Sequence, residues 1–143
     1  MSKQRTIDTL GVHLLAAELA RRGFLVATAA RNAQGADLFV ADPGLASAWT
    51  VHVKANDQRI HSWPLADNFR KLHSSSHVYV FIKFNGEARP DYYIVSSRQV
   101  AHDALDREQR TGTRWRSYPL SRARAFQENW ELFGLAPTKM PPA

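Results

Sequence analysis

Two short runs decide how this chain folds: Gly35-Ala36-Asp37-Leu38-Phe39-Val40 and, after eight intervening residues, Trp49-Thr50-Val51-His52-Val53-Lys54. Both are rich in the β-branched and aromatic residues that suit strands. In the second run, Thr50, His52 and Lys54 share one face by period two, and Trp49, Val51 and Val53 share the other. Asp42-Pro43-Gly44 between them has turn chemistry, which predicts a hairpin of strands over 37–41 and 49–54. Such a hairpin sets Asp37, at the start of one strand, beside the end of the other, where His52 and Lys54 project together. A carboxylate, an imidazole and an ammonium would then converge at one end of a sheet. Metal-assisted phosphodiester hydrolysis needs such a set. An acid holds a divalent cation, a second ligand completes its shell, and a lysine steadies charge on the phosphate or the attacking water. Plainer roles stand beside these: Asp37 as a turn cap, His52 and Lys54 as solvated strand residues.

The flanking sequence predicts an α/β domain. Residues 7–22 carry an apolar stripe at helical spacing (Ile7, Leu10, Leu14, Leu15, Leu19), with Thr6 as cap and Gly23 as stop. Strands are expected over 24–29 and 92–95, with turn residues over 32–36. The run 78–84 is apolar on both alternations and reads as a strand buried on both faces, turned by Asn85-Gly86. Helices are expected over 63–72, over 97–109 behind a Ser96/Gln99 capping box, and from Ser121 to Phe133, closed by Gly134. In the last of these, Phe126, Trp130 and Phe133 fall at helical spacing and read as core. The expected organisation is one domain over 1–136, with a central mixed sheet flanked by helices, and a Pro-rich tail over 137–143.

In this order the motifs resemble the PD-(D/E)XK nuclease superfamily, the restriction-endonuclease-like fold. Gly11 to Gly23 is similar to the family's first helix, Gly35-x-Asp37 to its second motif, and Val51-His52-Val53-Lys54 stands where the family has Glu-x-Lys or Gln-x-Lys. The later run Pro90-Asp91-Tyr92-Tyr93-Ile94-Val95-Ser96 is similar to the later strands of small bacterial members. The resemblance implies a DNA endonuclease that uses a divalent metal held by Asp37, His52 and the Val53 carbonyl. Lys54 would stabilise the phosphorane or orient the water. Two positions depart from the family. His52 replaces an oxygen ligand, which shifts the expected ion from Mg²⁺ toward Mn²⁺. Val12 or His13 falls where members often carry a glutamate, and Glu18 is the acid read as nearby. These departures keep open a catalytically degenerate enzyme, a pseudonuclease that only binds, and a protein-interaction module.

Charge points to a polyanion. Residues 107–124 hold six arginines (Arg107, Arg110, Arg114, Arg116, Arg122, Arg124) against Glu108, which is +5 of the chain's +6. Arginine suits phosphate through its planar fork. Trp115 and Tyr118 interleave with these arginines, a mix that suits stacked bases and gripped backbone. DNA is the expected partner, with an acidic protein as the rival and a homodimer admitted. The absence of cysteine excludes disulfides, thiol nucleophiles and Cys-ligated metals. No apolar run approaches a membrane span and no leader is apparent, so a cytoplasmic protein is expected. His73 and His77 have zinc-like spacing but no further ligands nearby, and Ser96-Ser97 reads as a cap.

Overall fold

The run from His77 to Ile82 becomes the middle of the molecule. In this computed structural model, which describes residues 3–29, 36–57, 59–71 and 74–134, every residue from His77 to Ile82 is buried. The order of elements is α1 (Lys3–Arg21), β1 (Leu25–Thr28), β2 (Leu38–Ala41), β3 (Ala48–Asn56), β4 (Ser62–Pro64), β5 (His77–Asn85) and β6 (Ala88–Ser96). It continues with α2 (Ser97–Asp103), β7 (Leu105–Glu108), β8 (Arg114–Pro119) and α3 (Leu120–Ala123), ending in 3-10 turns at Arg124–Phe126 and Trp130–Phe133. Five strands form one mixed sheet in the order β1-β2-β3-β5-β6, in which only β3 and β5 run parallel. A three-stranded antiparallel sheet, β4-β8-β7, forms a second layer. The fold is α/β with a central mixed sheet flanked by helices.

Period two sorts the core into two sides of that sheet. Val51, Val53 and Ala55 of β3 and Val78, Val80 and Ile82 of β5 pack with Leu15 and Leu19 of α1. Tyr79 and Phe81 face the other way, onto Trp63 and Tyr118 of the small sheet and Val100 of α2. The Phe81 and Tyr118 rings stack at 4.9 Å. A Schellman close ends α1: Phe24 N–H donates to the Leu19 carbonyl and Gly23 N–H to that of Ala20, with Gly23 at φ 99°. The β2–β3 loop is held by Asp42, whose carboxylate accepts the N–H groups of Ala46 and Ser47. Among the described residues, no helix is long and apolar enough to cross a membrane.

Four local expectations are corrected. The helix expected at 7–22 begins at Lys3, so Thr6 lies inside it and is not its cap. No helix spans 63–72: Trp63 joins β4, fully buried, with its indole N–H donating to the Ile82 carbonyl at 3.1 Å. A ring of that size gains more from the core between the layers than a local helix offers. The helix expected at 97–109 stops at Asp103, because 105–108 pair with 114–117 as a hairpin turned at Gly112, φ 82°. The last helix is broken at Glu128, φ 55°. Its three aromatics divide accordingly: Phe126 packs in the core of the small sheet, while Trp130 and Phe133 pack beneath α1. Asn32–Gly35, Leu72, His73 and the 137–143 tail lie outside the described residues.

Candidate active site

Strand β3 outruns its neighbour. β2 pairs with Ala48 to Val51, so Val53 and Ala55 turn their peptide groups to an edge that no strand of the described residues covers. Three side chains come to that edge. Asp37, just before β2, accepts the Val53 N–H through Oδ2 at 2.7 Å. Gln4 of α1 donates its amide to the Ala55 carbonyl at 3.0 Å and to Asp8 Oδ1 at 3.0 Å. The helix comes this close because Gly11 is buried against the strand: a Cβ there would lie 3.2 Å from the Ala55 Cβ. Asp8 and Gln4 are the next turns of that helix.

Asp37, Asp8 and Lys54 lie within electrostatic reach of one another. Burial pushes the Asp37 carboxyl above its usual range, opposed by the Val53 N–H and the Lys54 charge and reinforced by Asp8. Burial likewise pushes the Lys54 ammonium down, against the attraction of Asp37 and Asp8. Two acids that repel one another beside a poorly solvated lysine form a site whose repulsion a bound cation would relieve. The Val53 side chain is core, while its carbonyl points along the same edge as its N–H.

His52 has other neighbours. Register sets it beside Tyr79 of β5, and the two rings stack at 5.2 Å and 21°. Burial first, then Lys54 and His77, push its imidazole down to about 3. Its Nδ1 is buried without a hydrogen-bond partner, as is Nε2 of His77, whose Nδ1 meets Thr50 Oγ1 at 2.7 Å. Among the described residues, no group of three or more His, Asp or Glu side chains gathers where an ion would sit. Of the sequence-derived set, Asp37, the Val53 backbone and Lys54 come together, and His52 turns to the aromatic layer.

Sequence reasoning passed over Asp8 and Gln4. The usable signal was Gly11, which marks the closest approach of helix to sheet. Val12 is half-buried against the core. Glu18 is engaged elsewhere, with Arg22 at 3.2 Å and Arg89 at 3.2 Å. Ser96 caps α2, accepting the Gln99 N–H at 3.1 Å, and Ser97 bonds the Ser74 backbone. His77 serves Thr50, while His73 lies outside the described residues.

A cleft of about 320 Å³ is lined by Asp8, Lys54, Ile60, Pro64 and Trp115. The arginine-rich segment is the β7–β8 hairpin and the turns after it, and its members differ in availability. Arg114 donates to Asp106 at 2.9 Å, and Arg116, 19% exposed, pairs with Asp67 at 2.6 Å. Arg122 donates to the Asp103 carbonyl. Arg107, Arg110 and Arg124 are exposed and make no ion pair with the described residues.

No family model matches the chain, and no curated protein matches it. Among solved structures, the chain is similar to Hjc, a Holliday junction resolvase of Archaeoglobus fulgidus, at 12% identity, over 79% of this chain and 91% of that one, with a TM-score of 0.47.

Proposed function

We propose that the chain is a divalent-cation-dependent phosphodiesterase that cuts DNA. The observation that carries this reading is the convergence of Asp37, Asp8 and Lys54 at the uncovered edge of β3, with Asp37 locked to the Val53 N–H. The donors there fit a hard ion: Asp37, Asp8 and the Val53 carbonyl offer oxygen, and Mg²⁺ and Mn²⁺ accept one or two carboxylates while keeping several waters. A bound ion of this kind would lower the pKa of the attacking water and neutralise a phosphate oxygen. The Val53 N–H holds Asp37 Oδ2, and Oδ1 is the oxygen that would meet the ion. Gln4 holds Asp8 on the strand edge in the same way. Lys54, short of solvent, offers its ammonium to the charge that develops on the phosphate. Asp8 stands one turn before Val12 and supplies the first-helix acid that Val12 lacks, so activity is expected with Mg²⁺ as well as Mn²⁺. His52 belongs to the wall of the site in this reading. Arg107, Arg110 and Arg124 hold the DNA backbone.

Nicking of supercoiled plasmid tests the reading. The wild-type chain should nick with Mg²⁺ or Mn²⁺ and stop in EDTA, and Asp37→Ala or Lys54→Ala should lower the rate by at least about two orders of magnitude. Nicking that survives Asp37→Ala, or a folded wild-type chain that never nicks with either ion, refutes it.

A second reading, a protein-interaction module without catalysis, has its own observation. The face of β1–β3 turned away from α1 leaves Leu25 51% and Phe39 44% exposed around an open apolar hollow. Binding of a protein partner by a chain that never nicks, lost in Phe39→Asp, would favour it.

A further inference from the structure

Trp115 is the exception among the tryptophans whose surroundings explain them. Trp63 is fully buried and Trp130 is 7% exposed, while Trp115 keeps 46% of its surface in solvent. It sits near the start of β8, with Arg114 before it and Arg116 after it. An indole left half in water contributes little to a core. It does not face open solvent on all sides, however. It lines the cleft that Asp8 and Lys54 also line. Arg107 is its cross-strand partner, and the two side chains stand next to each other on one face of the hairpin. Ile60, itself 43% exposed, and Pro64, on the strand that pairs with β8, also line this cleft.

A half-exposed indole, a neighbouring guanidinium and an apolar lining of Ile60 and Pro64, next to a candidate phosphate-cleaving centre, match the chemistry of one nucleotide. The ring takes the π-face of a base, and the cation takes the adjacent phosphate. The volume of about 320 Å³ lies at the small end of ligand pockets, room for one base and its sugar. A base inside a duplex offers no free face to stack on, because its neighbours in the stack cover both.

We propose that this cleft receives one unpaired base stacked on Trp115, with Arg107 on the neighbouring phosphate, so that the substrate is DNA carrying a single-stranded segment at the phosphate to be cut. This rests on the phosphodiesterase reading above and names its substrate class. In it Trp115 is a specificity residue.

The test is binding of fluorescein-labelled oligonucleotides by the full chain, without metal and at low salt, read by anisotropy. Three probes of equal length are compared: single-stranded oligothymidylate, the same sugar–phosphate chain without bases, and duplex. The wild-type chain should bind the thymidylate about tenfold or more tighter than the abasic chain. Trp115→Ala should bring that ratio close to one while leaving duplex affinity within about twofold, and Trp115→Phe should keep most of the preference. Because Trp115 is half-exposed, the variants are expected to fold, and circular dichroism checks this. Equal wild-type affinity for thymidylate and abasic chain overturns the stacking pocket alone. Loss of all three probes in parallel on Trp115→Ala overturns it too, by making Trp115 a structural residue. Failure of every probe to bind overturns both this inference and the DNA reading beneath it.

Discussion

Replacing His52 with Phe isolates the energetic consequence of a buried imidazole. Phe keeps a ring to stack on Tyr79, as His52 does at 5.2 Å, and removes the partnerless buried Nδ1. The His52 imidazole is pushed from an ordinary 6.5 down to about 3 in the folded chain, by burial first and then by Lys54 and His77. Between those two values the unfolded chain binds a proton that the folded chain refuses, so stability rises with pH through that window. The contribution is complete above the unfolded value and is lost progressively as pH falls toward the folded one. At about pH 5, roughly 1.5 units below the unfolded value, the loss is about 2 kcal/mol at about 1.4 kcal/mol per unit; near pH 8 it is about zero. His52→Phe lacks this proton, so its stability relative to wild type should improve by about 2 kcal/mol between about pH 8 and about pH 5. His77 is shifted in the same direction by burial and is present in both proteins, so its contribution largely cancels. Urea denaturation of both proteins at the two pH values, in EDTA and followed by tryptophan fluorescence, supplies the four free energies. A stability difference that is the same at both pH values refutes the reasoning, because it would mean that His52 takes its proton in the folded chain as readily as in the unfolded one.

Gly11→Val should cost about 1–3 kcal/mol by overpacking against Ala55, because a Cβ at Gly11 already meets the Ala55 Cβ at 3.2 Å. The same displacement should move Asp8 and Gln4 off the strand edge, so nicking per folded molecule, with the folded fraction taken from thermal denaturation, should fall as well; a stable and fully active Gly11→Val would contradict the placement of α1. Arg107→Ala with Arg110→Ala should flatten the log–log salt dependence of DNA binding by about two contacts' worth, roughly 1.8 in slope. Arg114→Ala with Arg116→Ala should flatten it less, since their guanidiniums are already held by Asp106 and Asp67, and equal slopes for the two double variants would show that those ion pairs open on DNA.

The parts of this fold that can be read from sequence are those where burial leaves a period. Strands 78–84 and 49–54 announce themselves because each has at least one face that must be apolar, and β5 is buried on both. The β7–β8 hairpin leaves no such trace. Leu105-Asp106-Arg107-Glu108 is only half-buried at Leu105 and Asp106, exposed at Arg107 and Glu108, and pairs by backbone, so its charges look like the end of a helix, and its one cue is Gly112 at the turn. Trp63 shows the opposite failure, a local sequence compatible with helix overridden by what a buried indole gains between two sheets. The site divides along the same line. Asp37 and Lys54 can be foreseen, because strand pairing and period two act over a few residues of known geometry. The neighbours of His52 depend on which strand pairs with β3 across a parallel crossover, and register with Tyr79 decides them. Asp8 depends on a helix crossing a strand 47 residues further along the chain, and only a side chain that is missing, at Gly11, records where that crossing falls. A glycine inside an otherwise regular helix costs about 1 kcal/mol and has to be explained by what approaches it. Here what approaches is Ala55, next to the lysine, and the helix turn before that contact is the one that carries the second acid.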